Sequence, residues 1–307
     1  MISVVIPVRN RARLVARAIE SAAAQTLPPD EIIVVDDASI DQTADVVGRL
    51  AQSLKTVKLI SLKRNVGAAQ ARNIGVESAA SDLVAFLDSD DVWYPEKLSR
   101  QVKEFAAGDN VVAAFCGVVI VKPGSSYRHH YIPKREITLS DLYHSSFLVT
   151  MSCALIQRAA ILDAGSFDET LRNCEDWDLF IRLAERGKIV VVQEELVEYW
   201  RHRGSRLTLE KLNVLSCHKV VFERIYRRIS DPTVKRKVRA SHEMRMADIF
   251  STDCIEPIRA IGHSCKSLLL DPSHEGWFNF RSVLKSSIKN VVYRPALEDT
   301  AEQHQIQ

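Results

Sequence analysis

Short apolar runs alternate with amphipathic segments along the first hundred residues of the chain. Four runs have the length and β-branched content of buried strands, at residues 3–8, 31–37, 57–62 and 83–88. Between them, residues 12–25, 41–54 and 67–80 carry apolar side chains at helical spacing, with Asn10 and Asp41 placed as N-caps. This alternation predicts an α/β fold in which a parallel sheet has helices on both faces.

The pattern continues less regularly to about residue 208 and then becomes helical. It predicts strands at 111–121, 151–158, 189–192 and 196–200, helices after Pro95 and at 158–165 and 175–187, and a loop at 122–136. The helical part is broken at Asp231-Pro232, Glu256-Pro257 and Asp271-Pro272. We therefore predict an α/β domain at 1–208, a helical C-terminal extension at 209–294 and a polar tail at 295–307.

Composition is that of an ordinary globular protein, with 46% hydrophobic and 26% charged residues and a formal net charge of +2. The charge is uneven, because residues 201–245 hold thirteen Lys or Arg against four Asp or Glu. The six cysteines lie far apart, which predicts reduced packing residues and a reducing compartment. No run of about twenty apolar residues and no signal-peptide core is present, so a cytoplasmic protein is expected.

Carboxylates collect where the predicted strands end. In open parallel sheets ligands bind outside the carboxyl ends of the strands. That rule brings together Pro7–Arg9, the pair Asp36 and Asp37, and the stretch Asp88–Asp91. Three aspartates within four residues repel one another unless a cation neutralises them. The alternative is an Asp-rich turn that caps the next element.

These stretches, taken in order, resemble the family 2 glycosyltransferases, which are inverting, nucleotide-sugar-dependent enzymes with the GT-A fold. The matching segments are SVVIPVRNR, IIVVDDASIDQT, RNVGAAQARNIGVESA, LVAFLDSDDVWYPEKL, AGSFDETL, NCEDWDLFIRL and YWRHRGSRLT. The resemblance covers roughly residues 1–208. It implies a mostly parallel, Rossmann-like GT-A sheet followed by the helical extension.

The resemblance gives the acidic stretch a metal-binding role. Asp88 and Asp90 stand where the family has its DXD motif, with Asp90 as metal ligand, Asp88 and Ser89 close to the nucleotide, and Asp88 and Asp91 as further candidate ligands. Mn²⁺ or Mg²⁺ suits such an oxygen-rich site and would neutralise a diphosphate leaving group.

Donor contacts are implied by three other segments. The residues concerned are Pro7, Val8 and Arg9 as a floor under the base, Asp36 and Asp37 as readers of a uracil-like base, and Gly67, Arg72 and Asn73 on the next loop and helix. Uridine or thymidine donors are favoured. The alternatives are that Asp36 or Asp37 caps a turn through Ser39 and that Arg9 and Arg72 are solvated surface charges.

Catalysis is implied for the pair Glu175-Asp176, with Asp176 as general base and Glu175 orienting it or contacting the acceptor. The alternative is helix capping, because the pair opens a predicted helix. His202 matches a histidine that completes the family's metal shell, although Trp200 stands where an Arg is common. Arg201 and Arg203 are candidate phosphate contacts.

The expected function is therefore transfer of a sugar from a nucleotide diphosphate to a hydroxyl of a saccharide or lipid-linked glycan. Two alternatives are a sugar-phosphate nucleotidyltransferase, which needs a glycine-rich loop that VRNRARLV lacks, and a non-catalytic nucleotide-sugar-binding scaffold. The basic helices suggest peripheral binding to anionic lipid, a homodimer interface or a solvated face. Nucleic acid is not expected as a partner, because no recognition motif accompanies the charge.

Overall fold

The computed structural model describes residues 1–122, 124, 126–146, 148–201, 211–253, 256–273, 276–277, 279–285 and 287. The chain divides into two compact units. One contains Met1–Leu142 and Ser146–Gly204, and the other contains Tyr143–Ser145 and Ser205–Gln307.

Strands and helices alternate through the first two hundred residues. In chain order they are β1 (Ile2–Val8), α1 (Val15–Ala23), β2 (Glu31–Asp36), α2 (Thr43–Ser53), β3 (Val57–Ser61), α3 (Ala68–Ser78), β4 (Leu83–Phe86), β5 (Val92–Trp93), α4 (Lys97–Ala107), β6 (Val111–Val121), β7 (Arg128–Tyr131), β8 (Glu136–Ile137), α5 (Leu139–His144), β9 (Leu155–Gln157), α6 (Arg158–Asp163), α7 (Glu175–Ala184) and β10 (Lys188–Trp200). A central sheet flanked by helices is thus confirmed.

The strands form one sheet in the order β3-β2-β1-β4-β9-β6-β10-β5, with β7 paired to β6 and β8 to β10. The four strands β3, β2, β1 and β4 are parallel, as are β6 and β10. Strand β9 runs antiparallel to both β4 and β6, and β5, β7 and β8 are also antiparallel to their partners. The predicted parallel arrangement therefore describes the first half of the sheet, whereas the second half is mixed.

The core lies on both faces of the central strands. Val4, Val5 and Ile6 of β1 have no exposed surface, and β2 is buried along its whole length. Helix α3 lies close against β1, because a Cβ added to Gly75 would come within 2.3 Å of a methyl carbon of Val5. A continuous apolar strand covered on both faces is what the sequence of β1 predicts.

Several predicted elements differ from the structure. Residues 151–158 begin as a 3₁₀ turn, Met151–Cys153, before the short strand β9. The two strands expected at 189–200 are the single strand β10, whose register shifts between Val192 and Val197. The loop expected at 122–136 contains β7 and the first residue of β8. Helix α1 begins at Val15 without a side-chain cap, and Asn10 instead accepts a hydrogen bond from the amide of Ile40.

The second unit is helical. It contains α8 (Lys211–Arg228), α9 (Pro232–Asp248), which continues into a π-helical turn at Ile249–Asp253, and α10 (Pro257–Leu270). Asp231 caps α9 by accepting from the amides of Thr233 and Val234, at the break expected from the sequence. The unit has its own small core, made of Leu215, Met246, Ala247, Ile249, Phe250, Ala260 and Val283. No helix in the described part of the chain is long and apolar enough to cross a membrane.

Candidate active site

A tight turn carries the three aspartates at the carboxyl end of β4. The amide of Asp91 donates to the carbonyl of Asp88 at 3.0 Å, which closes the turn. Ser152, in the 3₁₀ turn Met151–Cys153, holds the acidic turn in place. Its hydroxyl accepts from the amide of Asp88 at 2.9 Å and donates to Asp91 Oδ2 at 2.7 Å. The Thr150 hydroxyl lies 3.0 Å from Asp88 Oδ2 and 3.1 Å from Asp91 Oδ2.

Asp91 is the structural member of this group. Its other oxygen, Oδ1, accepts from the amide of Trp200 at 3.1 Å, so both carboxylate oxygens are bound by the protein. Burial raises the pKa of Asp91 well above its usual value, and the negative charges of Asp88 and Asp90 raise it further. Accumulated negative charge around a buried carboxyl is what an added cation would relieve.

Arg72 joins the acidic turn to helix α7. Its side chain is 7% exposed, and it donates through Nη2 to Asp88 Oδ1 at 2.9 Å and through Nη1 to Glu175 Oε1 at 2.7 Å. The guanidinium carbon lies 5.7 Å from the ring centre of Phe167. Burial lowers the pKa of Arg72, but the charges of Asp88 and Glu175 outweigh burial and raise it above its usual value. Arg72 is therefore an internal bridge rather than a solvated charge.

The first turn of α7 presents the predicted catalytic pair. Cys174 precedes it with a left-handed backbone at φ 61°, and Glu175 and Asp176 follow as the first helical residues. Loss of water, and after it the negative charge of Glu175, raise the pKa of Asp176 from 3.8 to about 7. The amide of Trp177 donates to Asp176 at 2.7 Å and opposes this effect. A carboxylate with a pKa near neutrality is suited to accept a proton in catalysis.

The second acidic pair organises the loops at the ends of β1 and β2. Asp36 accepts hydrogen bonds from the amide and hydroxyl of Ser39, which is the turn-capping alternative considered above. Asp37 accepts from the amides of Val66 and Gly67, at 2.6 and 2.9 Å. Gly67 has φ 91°, a conformation that a side chain disfavours. Contact of either aspartate with a base stays a prediction.

The other predicted donor residues vary in position. Asn73 is buried, and its amide group bonds to the main chain of Phe167 and to Glu169 on the loop before α7. Arg9 and Arg201 are exposed, whereas Val8 and Ser89 are buried and Pro7 is half-buried. Asn73 thus supports the loop that leads to the catalytic pair, and its contact with a nucleotide stays a prediction.

The donor set can be compared with what a divalent cation requires. Among the described residues, no three His, Cys, Asp or Glu side chains are grouped to hold a metal ion. His202 and Arg203 lie outside the described residues. A Mg²⁺ ion bound to substrate phosphates commonly needs only one or two carboxylates from the protein. Asp90 and Asp88 stay the predicted ligands, although both oxygens of Asp88, like those of Asp91, already accept hydrogen bonds from the protein.

Three contributors to the site were not predicted from the sequence. Thr150 and Ser152 bind the acidic turn although they are 59 to 64 residues from it along the chain. Arg17 of α1 donates to the carbonyl of Asp90 at 3.2 Å. No local motif marks these residues, because their role depends on strands and helices that meet only in the folded sheet.

A groove of about 380 Å³ lies at the amino ends of β6 and β10. It is lined by residues including Asn110, Ile137 and Lys188. The acidic turn and Trp200 lie toward the carboxyl ends of the strands instead. Because sheets of this type bind ligands at the carboxyl ends, we place the candidate active site at the acidic turn and not in the groove.

Comparison with known proteins identifies the family of the chain. The sequence model described as Glycosyl transferase family 2 matches residues 3–165. The chain belongs to glycosyl transferase family 2. A relative from Rickettsia prowazekii, named as an uncharacterized glycosyltransferase, is 32% identical over 226 residues, which cover 70% of this chain and 68% of the relative. The enzyme prediction is confirmed, and the chain is a glycosyltransferase.

Other family 2 relatives match only in part. The hyaluronan synthase of Pasteurella multocida is 28% identical over 219 residues, which cover 70% of this chain but 22% of that enzyme. Among solved structures, S. aureus TarS 1-349 in complex with UDP-GlcNAc matches with a TM-score of 0.66 and 18% identity, over 94% of this chain and 91% of that one. At this identity the likeness shows the fold, and the predicted GT-A fold is confirmed.

Proposed function

We propose that this family 2 glycosyltransferase moves a sugar from a nucleotide diphosphate, with a uridine diphosphate sugar favoured, to a hydroxyl of a saccharide or lipid-linked glycan. The TarS structure that shares its fold contains UDP-GlcNAc, which supports a donor of this class. Inversion at the anomeric carbon is proposed from the resemblance to inverting family 2 enzymes.

The observation that carries the proposal is the double ion pair of Arg72. It connects Asp88, at the end of β4, with Glu175, the neighbour of Asp176 and 103 residues away from Arg72 along the chain. Two acidic groups with different predicted tasks are thereby held at one site. A scaffold protein would have no need to keep a carboxyl of raised pKa beside a second acidic centre.

Asp176 is the proposed general base. In the reaction it takes the proton of the acceptor hydroxyl while that oxygen forms a bond to C1 of the donor sugar and the bond from C1 to the diphosphate oxygen breaks. The nucleotide diphosphate leaves from the opposite face, so the configuration at C1 inverts. With a pKa of about 7, Asp176 is ionised often enough near neutral pH and remains basic enough to accept the proton.

Asp90 and Asp88 are the proposed carboxylate ligands of a divalent cation, with His202 as a further candidate. A bound Mn²⁺ or Mg²⁺ would neutralise charge that develops on the diphosphate. The protein contributes a turn that is closed by the amide of Asp91 and held by Ser152, so the ligands need little rearrangement when the donor binds.

A panel of nucleotide sugars tests this proposal. UDP, TDP and GDP sugars are added to the wild-type protein with and without Mn²⁺, and thermal shift and sugar hydrolysis are measured. We expect a UDP sugar to stabilise the protein more strongly with Mn²⁺ than without it and to be hydrolysed slowly. Stabilisation without any hydrolysis would favour the binding scaffold, and release of diphosphate from a nucleoside triphosphate and a sugar phosphate would favour the nucleotidyltransferase.

Asp90→Ala tests the cation ligand in the same assay. The variant should lose the Mn²⁺-dependent part of UDP affinity and keep the metal-independent part, as measured by calorimetry. Asp82→Ala is the matched control, because that side chain is 87% exposed at the far end of β4. Unchanged Mn²⁺-assisted affinity in Asp90→Ala would exclude Asp90 as a ligand.

A further inference from the structure

The main chain of the acidic turn is contacted by a side chain from another element of the fold. In a turn closed between Asp88 and Asp91, the carbonyl of Asp90 takes no part in the closing hydrogen bond. Arg17 Nη2 donates to that carbonyl at 3.2 Å from helix α1, 73 residues earlier in the chain. Asp90, the proposed metal ligand, is therefore held through its backbone by Arg17, which lies outside the short sequence segments that carry the family resemblance.

Arg17 is itself held against an aromatic ring. Its guanidinium carbon lies 4.3 Å from the ring centre of Trp200, in the last position of β10. Stacking of this kind restricts the guanidinium plane and directs its donors. The amide of the same Trp200 donates to Asp91 Oδ1 at 3.1 Å. Arg17 and Trp200 consequently bind adjacent residues of the turn. Arg17 donates to the carbonyl of Asp90, and the amide of Trp200 donates to the side chain of Asp91.

The ring of Trp200 is fixed in turn by Glu198. Trp200 Nε1 donates to Glu198 Oε2 at 3.2 Å, and Glu198 Oε1 accepts from Arg128 at 2.8 Å and from the Tyr94 hydroxyl at 3.1 Å. These partners come from β7 and from the residue after β5. The ring on which Arg17 stacks is thereby connected through Glu198 to Arg128 of β7 and to Tyr94.

From this arrangement we propose that Arg17 is a positioning residue, which with Trp200 holds the main chain of the Asp88–Asp91 turn in the conformation that presents Asp90 to a divalent cation. The proposal rests on the proposed function of Asp90. Arg17 acts on the turn and not on the substrate.

Hydrogen exchange of the metal-free protein tests the proposal without any ligand. In Arg17→Ala, we expect the amides of Asp91 and Trp200 to exchange at least about tenfold faster than in the wild type, because a hydrogen-bonded turn that loses an anchor opens more often. Arg13→Ala is the matched control, since Arg13 is an exposed arginine of the preceding turn. It should leave both rates unchanged.

A second measurement separates positioning from substrate contact. The Mn²⁺ concentration that half-saturates the enhancement of UDP binding should rise about tenfold in Arg17→Ala, while UDP affinity in EDTA stays within twofold of the wild type. Arg17→Lys keeps the charge without the planar stack and should recover only part of the loss. Trp200→Leu, which removes the stacking surface, should reproduce the effect of Arg17→Ala in a folded protein.

Two results would overturn the proposal. Unchanged exchange at Asp91 and Trp200 in Arg17→Ala would show that the turn does not depend on Arg17. Weaker UDP binding in EDTA with unchanged exchange would make Arg17 a direct phosphate contact. If wild-type UDP binding is insensitive to Mn²⁺, the proposed cation site fails, but the exchange rates still decide whether Arg17 holds the turn.

Discussion

Replacing Glu175 by Gln should shift the pH dependence of catalysis toward acid. Burial is the main reason for the raised pKa of Asp176, and the negative charge of Glu175 is the next. Gln removes that charge, while its amide oxygen can still accept the hydrogen bond that Arg72 Nη1 makes at 2.7 Å. The substitution therefore changes the electrostatics at Asp176 with little change in geometry.

The size of the shift follows from simple electrostatics. At an effective dielectric constant of about 20, two charges about 8 Å apart interact by about 2 kcal/mol, equal to about 1.5 pKa units. Asp176 is only partly buried by its neighbours and Arg72 remains close, so we expect a fall of about one unit, from about 7 toward about 6. Between pH 8 and 6, kcat/KM for the donor should then fall about tenfold in the wild type and about twofold in Glu175→Gln.

The assay is initial-rate transfer or donor hydrolysis at low donor concentration, in overlapping buffers from pH 5 to 9 at fixed ionic strength. A ¹³C-carboxyl NMR titration of the metal-free protein, with the resonance assigned by its loss in Asp176→Asn, reads the same pKa without turnover. The reasoning is refuted if both proteins titrate with the same midpoint, or if the wild-type midpoint lies near 4.

Three further outcomes are expected. Arg72→Met leaves two carboxylates without their shared cation and should lower the free energy of unfolding by about 3 kcal/mol in urea, whereas an unchanged midpoint would show that the bridge is not formed. Ser152→Ala should cost about 1–3 kcal/mol, because the acidic turn loses a buried partner, and a neutral thermal shift would contradict this. Acid should destabilise the helical unit, because burial lowers the pKa of His218 to about 3 and that of His242 to about 4. Below about pH 6.5 the unfolded chain binds protons at these histidines while the folded unit does not, so the free energy of unfolding should fall by about 2 kcal/mol between pH 7 and 5.5. A pH-independent urea midpoint for that unit would refute the buried histidine pair.

The first half of the sheet was predictable from the sequence because its strands are continuous apolar runs separated by amphipathic helices. Strand β7 was not, because its residues Arg128–Tyr131 are polar and mostly exposed and resemble a loop. Strand β10 was predicted as two pieces, since its register shifts interrupt the apolar pattern. Short or bulged strands depend on their partners, which sequence periodicity does not identify.

Candidate site residues could be proposed from the sequence, but the contacts among them could not. The acidic turn and the Glu175-Asp176 pair were recognised from local patterns. That Arg72 joins them, and that Ser152 and Thr150 hold the turn, are long-range contacts without any local signature. The sequence left Arg72 open between a nucleotide contact and a surface charge. Its burial between Asp88 and Glu175 excludes the surface charge, and its contact with a nucleotide stays a prediction.

The most direct test of the account is a comparison of chemistry and binding in Asp176→Asn. The substitution keeps the shape of the side chain and removes its ability to accept the acceptor's proton. Transfer from the donor that the panel identifies should fall by at least about a hundredfold, while Mn²⁺-assisted UDP affinity, measured by calorimetry, should stay within about twofold of the wild type. Transfer close to the wild-type rate, or a loss of UDP affinity as large as the loss of transfer, would contradict the assignment of Asp176 as the base of this site.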